Sequence, residues 1–121
     1  MFDISRDGVI TLTRGDSFEA PLFINMRTDL DPLRYDMTNS NAEIYFGLME
    51  ANQPFERALV RKKYTKADVN EYGDVVIKFV PDDTVEIVPG VYYYQIKIRI
   101  PTGDTYEVNT VVKKTKFIIE E

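Results

Sequence analysis

Apolar residues recur at every second position along much of the chain, the spacing that turns one face of a β-strand toward a core. Residues 17–25 place Phe18, Ala20, Leu22 and Ile24 on one face. Residues 42–50 do the same with Ala42, Ile44, Phe46 and Leu48, opposite Glu43, Tyr45, Gly47 and Met49. In residues 74–80 the inward set is Val75, Ile77 and Phe79. The clearest run spans residues 91–100, where Tyr92, Tyr94, Ile96, Ile98 and Ile100 alternate with Tyr93, Gln95, Lys97 and Arg99. Shorter strands are predicted over residues 9–13, 58–64, 106–112 and 116–119. Each has one half-buried face, as antiparallel sheets require.

Turn chemistry separates these runs. Arg14-Gly15-Asp16 divides the first two strands, and Glu71-Tyr72-Gly73-Asp74 opens the strand of Val75. Pro89-Gly90 precedes the tyrosine-rich strand, and Thr102-Gly103-Asp104 fits a short hairpin loop after it. Residues 26–41 hold Pro32 and several polar turn-formers, and they read as an irregular connection between sheets. Residues 66–72 and 81–87 each suit one helical turn. Pro81 fits a first-turn position, and Asp82 and Asp83 are favourable at that end. The chain shows no repeat, linker or low-complexity tract, so residues 1–121 are expected to form one domain.

Seven or eight short strands around one core predict an all-β fold, an immunoglobulin-like antiparallel β-sandwich. Sandwiches of that type carry a tyrosine near the start of strand F, two residues before a cysteine, whose hydroxyl bonds to upstream backbone. Here Tyr92 follows Gly90 into its strand, Tyr94 stands where the cysteine would be, and Asp83-Thr84 lies upstream. Asp83, Gly90 and Tyr92 are therefore the expected structural corner. The core is expected to rest on Phe18, Leu22, Phe46, Ile77, Phe79, Tyr94 and Ile96 packing between two sheets. A jelly roll or open barrel is the alternative architecture.

Composition narrows the chemistry. The 121 residues include no Cys, His or Trp. A disulfide framework, a thiol nucleophile, a Cys-ligated metal site and histidine acid–base catalysis all lose their parts. Paired carboxylates are the catalytic option left, but no pair stands in an apolar context that would raise one pKa. No phosphate loop or nucleophile elbow is present. The expectation is a protein that is not an enzyme and needs no cofactor and no metal. Asp29-Leu30-Asp31 with Asp36 offers oxygen atoms, yet it lacks the spacing, Gly and terminal Glu of a calcium loop and reads as a solvated acidic loop. Arg14-Gly15-Asp16 is the tripeptide read by integrins, and it also has the composition of a tight turn, the reading adopted here.

The net charge is −5, which demotes nucleic-acid binding through phosphate neutralisation. It is unevenly placed: residues 57–66 carry Arg57, Arg61, Lys62, Lys63 and Lys66 and no acid. Such a strip on an acidic body suits docking of an acidic partner or of a second copy. No apolar run reaches the roughly 18 residues of a membrane span, and the N-terminus has no basic region followed by an apolar one. The expected setting is the cytoplasm of the producing cell, with no membrane partner. Eight tyrosines supply a second surface, with Tyr45 and Tyr93 outward by period-two logic. Phe55 forms an apolar tip after Asn52-Gln53-Pro54, suited either to folding back or to anchoring a partner.

The order of motifs resembles a family. Ile10-Thr11-Leu12-Thr13-Arg14-Gly15-Asp16-Ser17-Phe18 is followed by Ile44-Tyr45-Phe46-Gly47-Leu48 and then by Gly73-Asp74-Val75-Val76-Ile77. Pro81-Asp82-Asp83-Thr84 and Pro89-Gly90-Val91-Tyr92-Tyr93-Tyr94-Gln95-Ile96 come next, ahead of Asn109-Thr110-Val111-Val112 and Phe117-Ile118-Ile119-Glu120. Over nearly its whole length the chain resembles small virion-associated proteins from structural-gene regions of phages and prophages of gut Firmicutes. It is also similar to the N-terminal sandwich domain of siphophage upper baseplate proteins. The resemblance implies a structural or accessory virion protein of tail, baseplate or capsid. It would be made in the bacterial host cytoplasm and built into the virion, with other virion subunits or itself as partners. In the baseplate proteins a linker and fibre follow the sandwich; here the chain stops, which favours an accessory subunit over a host-binding fibre. The candidate interaction surface is Tyr45 and Tyr93 with Arg61, Lys62 and Lys63. The rival expectation is a carbohydrate-binding module using the surface tyrosines.

Overall fold

The computed structural model describes residues 2–22, 25–27, 32–34 and 41–121. The predicted alternation becomes strands with little change: β1 (Phe2–Ile4), β2 (Ile10–Thr13), β3 (Phe18–Leu22), β4 (Asn25–Arg27), β5 (Pro32–Arg34), β6 (Glu43–Met49), β7 (Val60–Tyr64), β8 (Val75–Phe79), β9 (Gly90–Thr102) and β10 (Thr105–Glu120). The fold is all-β; its helical elements among the described residues are single 3-10 turns at Phe55–Arg57, Lys66–Asp68 and Pro81–Asp83.

Six strands form a large sheet in the order β1-β2-β10-β9-β6-β7, while β3 and β8 form a separate antiparallel pair. All neighbours in the large sheet are antiparallel except β2 and β10, which run parallel with Ile10 opposite Phe117. Aromatic rings join the two sheets. Phe18 and Phe79, opposite each other across β3 and β8, stack at 4.8 Å. From the large sheet, Phe46 meets the Phe79 ring edge-on at 5.3 Å, and Phe117 lies against Phe79 at 5.6 Å. Phe46, Phe79 and Phe117 are fully buried, with Leu12, Ile44 and Ile98 around them. Tyr64 adds a polar tie: its hydroxyl donates to the Lys78 carbonyl at 3.3 Å and accepts from the Lys78 N–H at 3.2 Å. Burial disfavours its phenolate and pushes its pKa up to about 12.

Two expectations change. The stretch read as irregular contains the antiparallel ribbon β4–β5, whose three-residue strands are too short to show a period. Ile24, Asp29, Leu30, Asp31 and Asp36 lie outside the described residues. The last two predicted strands are one strand, β10, with register shifts between Thr110 and Val112 and between Val112 and Thr115. Each shift places an extra residue in β10 and reverses which face the following side chains take, so the alternation reads as broken although pairing continues.

Candidate functional site

Between β8 and β9 the chain makes a corner. Pro81 opens a 3-10 turn, and the Asp83 carboxylate accepts from the Val80 N–H at 2.8 Å and from Lys62 Nζ at 2.7 Å. Thr84 is fully buried, and its hydroxyl accepts from the Gly15 N–H at 2.9 Å. The Arg14-Gly15-Asp16 tripeptide is accordingly a tight turn: Gly15 has φ +83°, the Asp16 N–H bonds back to Thr13, and Arg14 pairs with Glu121. Tyr92 donates its hydroxyl to the carbonyl of Val88. The upstream partner of this tyrosine is thus the Val88 backbone, not Asp83-Thr84 as expected; Asp83 is bound to Lys62 and Thr84 to Gly15. Gly90 is not in the left-handed region, and an added Cβ would meet the Tyr92 ring at an ordinary 3.8 Å, so the corner does not require glycine there.

Strand alternation divides the predicted interaction residues between two faces. On β7, Val60, Lys62 and Tyr64 face β8, whereas Arg61 and Lys63 point to the outer face of the large sheet. The Lys62 ammonium therefore turns away from the expected surface, although the residue still lines the cleft beside Arg61 and Lys63, and the ammonium lies 5.5 Å from the centroid of Phe79. Tyr45 stands on the outer face between Lys63 of β7 and Lys97 of β9. Tyr93 shares that face but pairs with Met49, four residues along β6 from Tyr45.

Phe55 occupies the interval. The 3-10 turn Phe55–Arg57 folds back over β6 so closely that a Cβ on Gly47 would sit 2.7 Å from the Phe55 ring. Lys97 Nζ approaches the same ring at 5.0 Å, and Lys114 Nζ donates to the Gln53 carbonyl at 2.7 Å, fastening the loop. The signal was in the sequence: a glycine in a strand interior marks a close approach. Tyr45, Phe46, Phe55, Glu56, Arg61, Lys62 and Lys63 line a mostly apolar cleft of about 350 Å³. Glu43, at its far side, pairs with Lys63 at 2.5 Å and with Arg99 at 3.4 Å. The Lys63 hydrogen bond holds the Glu43 carboxyl below its usual range, and the same bond raises Lys63. Arg57 and Arg61 make no ion pair among the described residues.

A second surface is the β9–β10 arm. Its loop is Gly103-Asp104, with Gly103 at φ +67°, the conformation a two-residue hairpin loop demands. Along β10, β2 pairs only with residues 117–120, so the outer edge of residues 105–116 has no strand partner among the described residues. Tyr106 and Val108 there are 54% and 51% exposed, and the Arg99 guanidinium stacks on the Tyr106 ring at 4.1 Å.

Among the described residues no three His, Cys, Asp or Glu side chains are grouped to hold a metal ion, and Asp74 is the one buried carboxylate. No helix is long and apolar enough to cross a membrane. No protein-family model, curated protein or solved structure matches the chain.

Proposed function

We propose that this chain is a non-enzymatic, immunoglobulin-like β-sandwich that docks as a structural or accessory subunit into a phage or prophage particle, at tail, baseplate or capsid. The immunoglobulin-like reading is supported by the parallel joining of β2 to the last strand, the β3–β8 pair facing the large sheet, and the tyrosine tie at the start of β9. The stack of Phe46 on Tyr94 at 5.6 Å supports it too, as a counterpart of the tryptophan that such sandwiches pack on their disulfide.

The observation that carries the docking reading is the open edge of β10. Soluble sheets blunt their edges with lysines, bulges or short strands. The β7 edge carries Arg61 and Lys63, β1 is three residues long, and residues 110–116 combine register shifts with three lysines. Among the described residues, 105–109 have no lysine, bulge or partner strand on this edge, and Glu107 is their one charge. An edge left open on an otherwise guarded sheet suits addition of a partner's strand. The particle is the setting implied by the family resemblance.

The test is to look for the chain in purified particles induced from a host carrying its coding region, with Val108→Pro alongside. Wild type banding with particles and the variant remaining unincorporated, at unchanged circular dichroism, supports the reading. A chain found only in the soluble fraction sinks it. The Tyr45–Phe55 cleft favours one rival, a carbohydrate-binding module; glycan-array binding lost in Tyr45→Ala would select it.

A further inference from the structure

The cleft and the β8–β9 corner carry opposite charge and open on opposite faces of the large sheet. At the cleft, the rings of Tyr45 and Phe55 stand with Arg61, and Arg57 is exposed on the adjoining Phe55–Arg57 turn. Neither guanidinium has an ion-pair partner among the described residues, and Glu56 is the one acid in the lining. At the corner, Val85 and Val88 are 49% and 72% exposed, beside exposed Asp82 and Glu86, neither of which has a cationic partner among the described residues. The period of β7 sets this opposition: Lys62 reaches inward to hold Asp83, and its neighbour Arg61 points outward to the cleft. The sheet therefore stands between the corner and the cleft of one molecule.

We infer that the corner of one copy docks in the cleft of the next. Asp82 and Glu86 meet Arg57 and Arg61, and Val85 and Val88 cover the rings of Tyr45 and Phe55. Complementary local charge overcomes the repulsion that a net charge of −5 imposes between copies. The two surfaces differ, so the contact is heterologous and repeats from copy to copy, closing into a ring or extending as a string. This inference rests on the docking reading and assigns the self-contact within it, separate from the β10 edge.

Sedimentation velocity at low salt tests it with two variants, Arg57→Glu/Arg61→Glu and Asp82→Lys/Glu86→Lys, each checked for folding by circular dichroism. The wild type is expected to grow in mass with concentration and to dissociate as salt rises toward about 0.5 M. Each variant alone associates at least tenfold more weakly and stays monomeric. Their equimolar mixture regains growth in mass, because each surface of one variant again meets the opposite charge on the other. A wild type that remains monomeric up to about 1 mM, a symmetric dimer that does not grow, or an inert mixture overturns the inference. Any of these outcomes leaves the particle test standing, so failure of the head-to-tail contact is distinguishable from failure of the docking reading.

Discussion

Gly47→Ala isolates the contribution of Phe55 to the surface without touching the core. The new methyl would sit 2.7 and 2.9 Å from two carbons of the Phe55 ring and 3.3 Å from Ala58 Cβ, so the ring must leave. Full burial of a Phe side chain contributes about 1.5–3 kcal/mol, and Phe55 is only half-buried, so its ejection costs about 1 kcal/mol. Loss of the Lys97 contact adds roughly 0.5 kcal/mol. Replacing glycine by alanine in a strand returns about 0.5–1 kcal/mol through the unfolded chain. The two sides nearly cancel, and the expected change is within about 1 kcal/mol, a few degrees in Tm. The loop of residues 50–58 should meanwhile lose hydrogen-exchange protection, and self-association should fall, because one wall of the cleft is gone. Urea denaturation, exchange mass spectrometry and sedimentation read these separately. A loss above about 3 kcal/mol would show that Phe55 belongs to the core. Unchanged exchange in residues 50–58 would show that the ring is not held on Gly47 at all.

Tyr64 has a pKa of about 12 against an unfolded 10.0, so folding favours its neutral form. The stability it contributes, roughly 2–3 kcal/mol, is complete below pH 10 and lost as pH rises toward 12; urea midpoints across that window should fall more steeply in wild type than in Tyr64→Phe. Asp83→Ala strips the carboxylate from Lys62 and from the Val80 N–H, costing about 1–3 kcal/mol by thermal melting; no loss would mean the corner is held elsewhere. Phe79→Ala removes the ring between Phe18, Phe46 and Phe117 and should cost about 3–5 kcal/mol in urea; a cost below 1 kcal/mol would contradict the joining of the two sheets through that ring.

The strands were legible because period two is a direct image of a half-buried sheet: β3, β6 and β8 needed only their ends trimmed, and β9 only its ends extended. Pairing order was not, since nothing local says that β2 runs parallel to residues 117–120. Two features hid for physical reasons. The register shifts in β10 scrambled its alternation, and β1, β4 and β5 are each three residues long, below the length at which a period shows. At the candidate surface, Tyr45 lies outward as period two implied and lines one cleft with Arg61, Lys62 and Lys63, but the Lys62 ammonium turns inward to Asp83. Lys62 was grouped with them by adjacency in sequence, whereas adjacency along a strand places side chains on opposite faces. Phe55 could not be placed from its loop, but Gly47 across from it carried the trace of the contact.

Without cysteine, the two sheets are joined by a continuous set of rings, and Tyr94 shows how a polar tip extends that solution. Its ring stacks on Phe46 at 5.6 Å and meets Phe117 edge-on at 6.1 Å. Its hydroxyl donates to the Gly8 carbonyl at 2.6 Å, tying the loop before β2 to the central strand. Burial raises the Tyr94 pKa, which keeps the hydroxyl protonated and able to donate. A disulfide would cross-link two points and depend on redox state; packed rings depend only on burial. Because the inner face of each strand takes the apolar residues and the Lys62–Asp83 tie, the alternate outward positions are released from holding the fold. Arg61 can therefore serve a partner while Lys62, next to it, secures the corner, and charge reversal at Arg61 should leave the folded sheet intact.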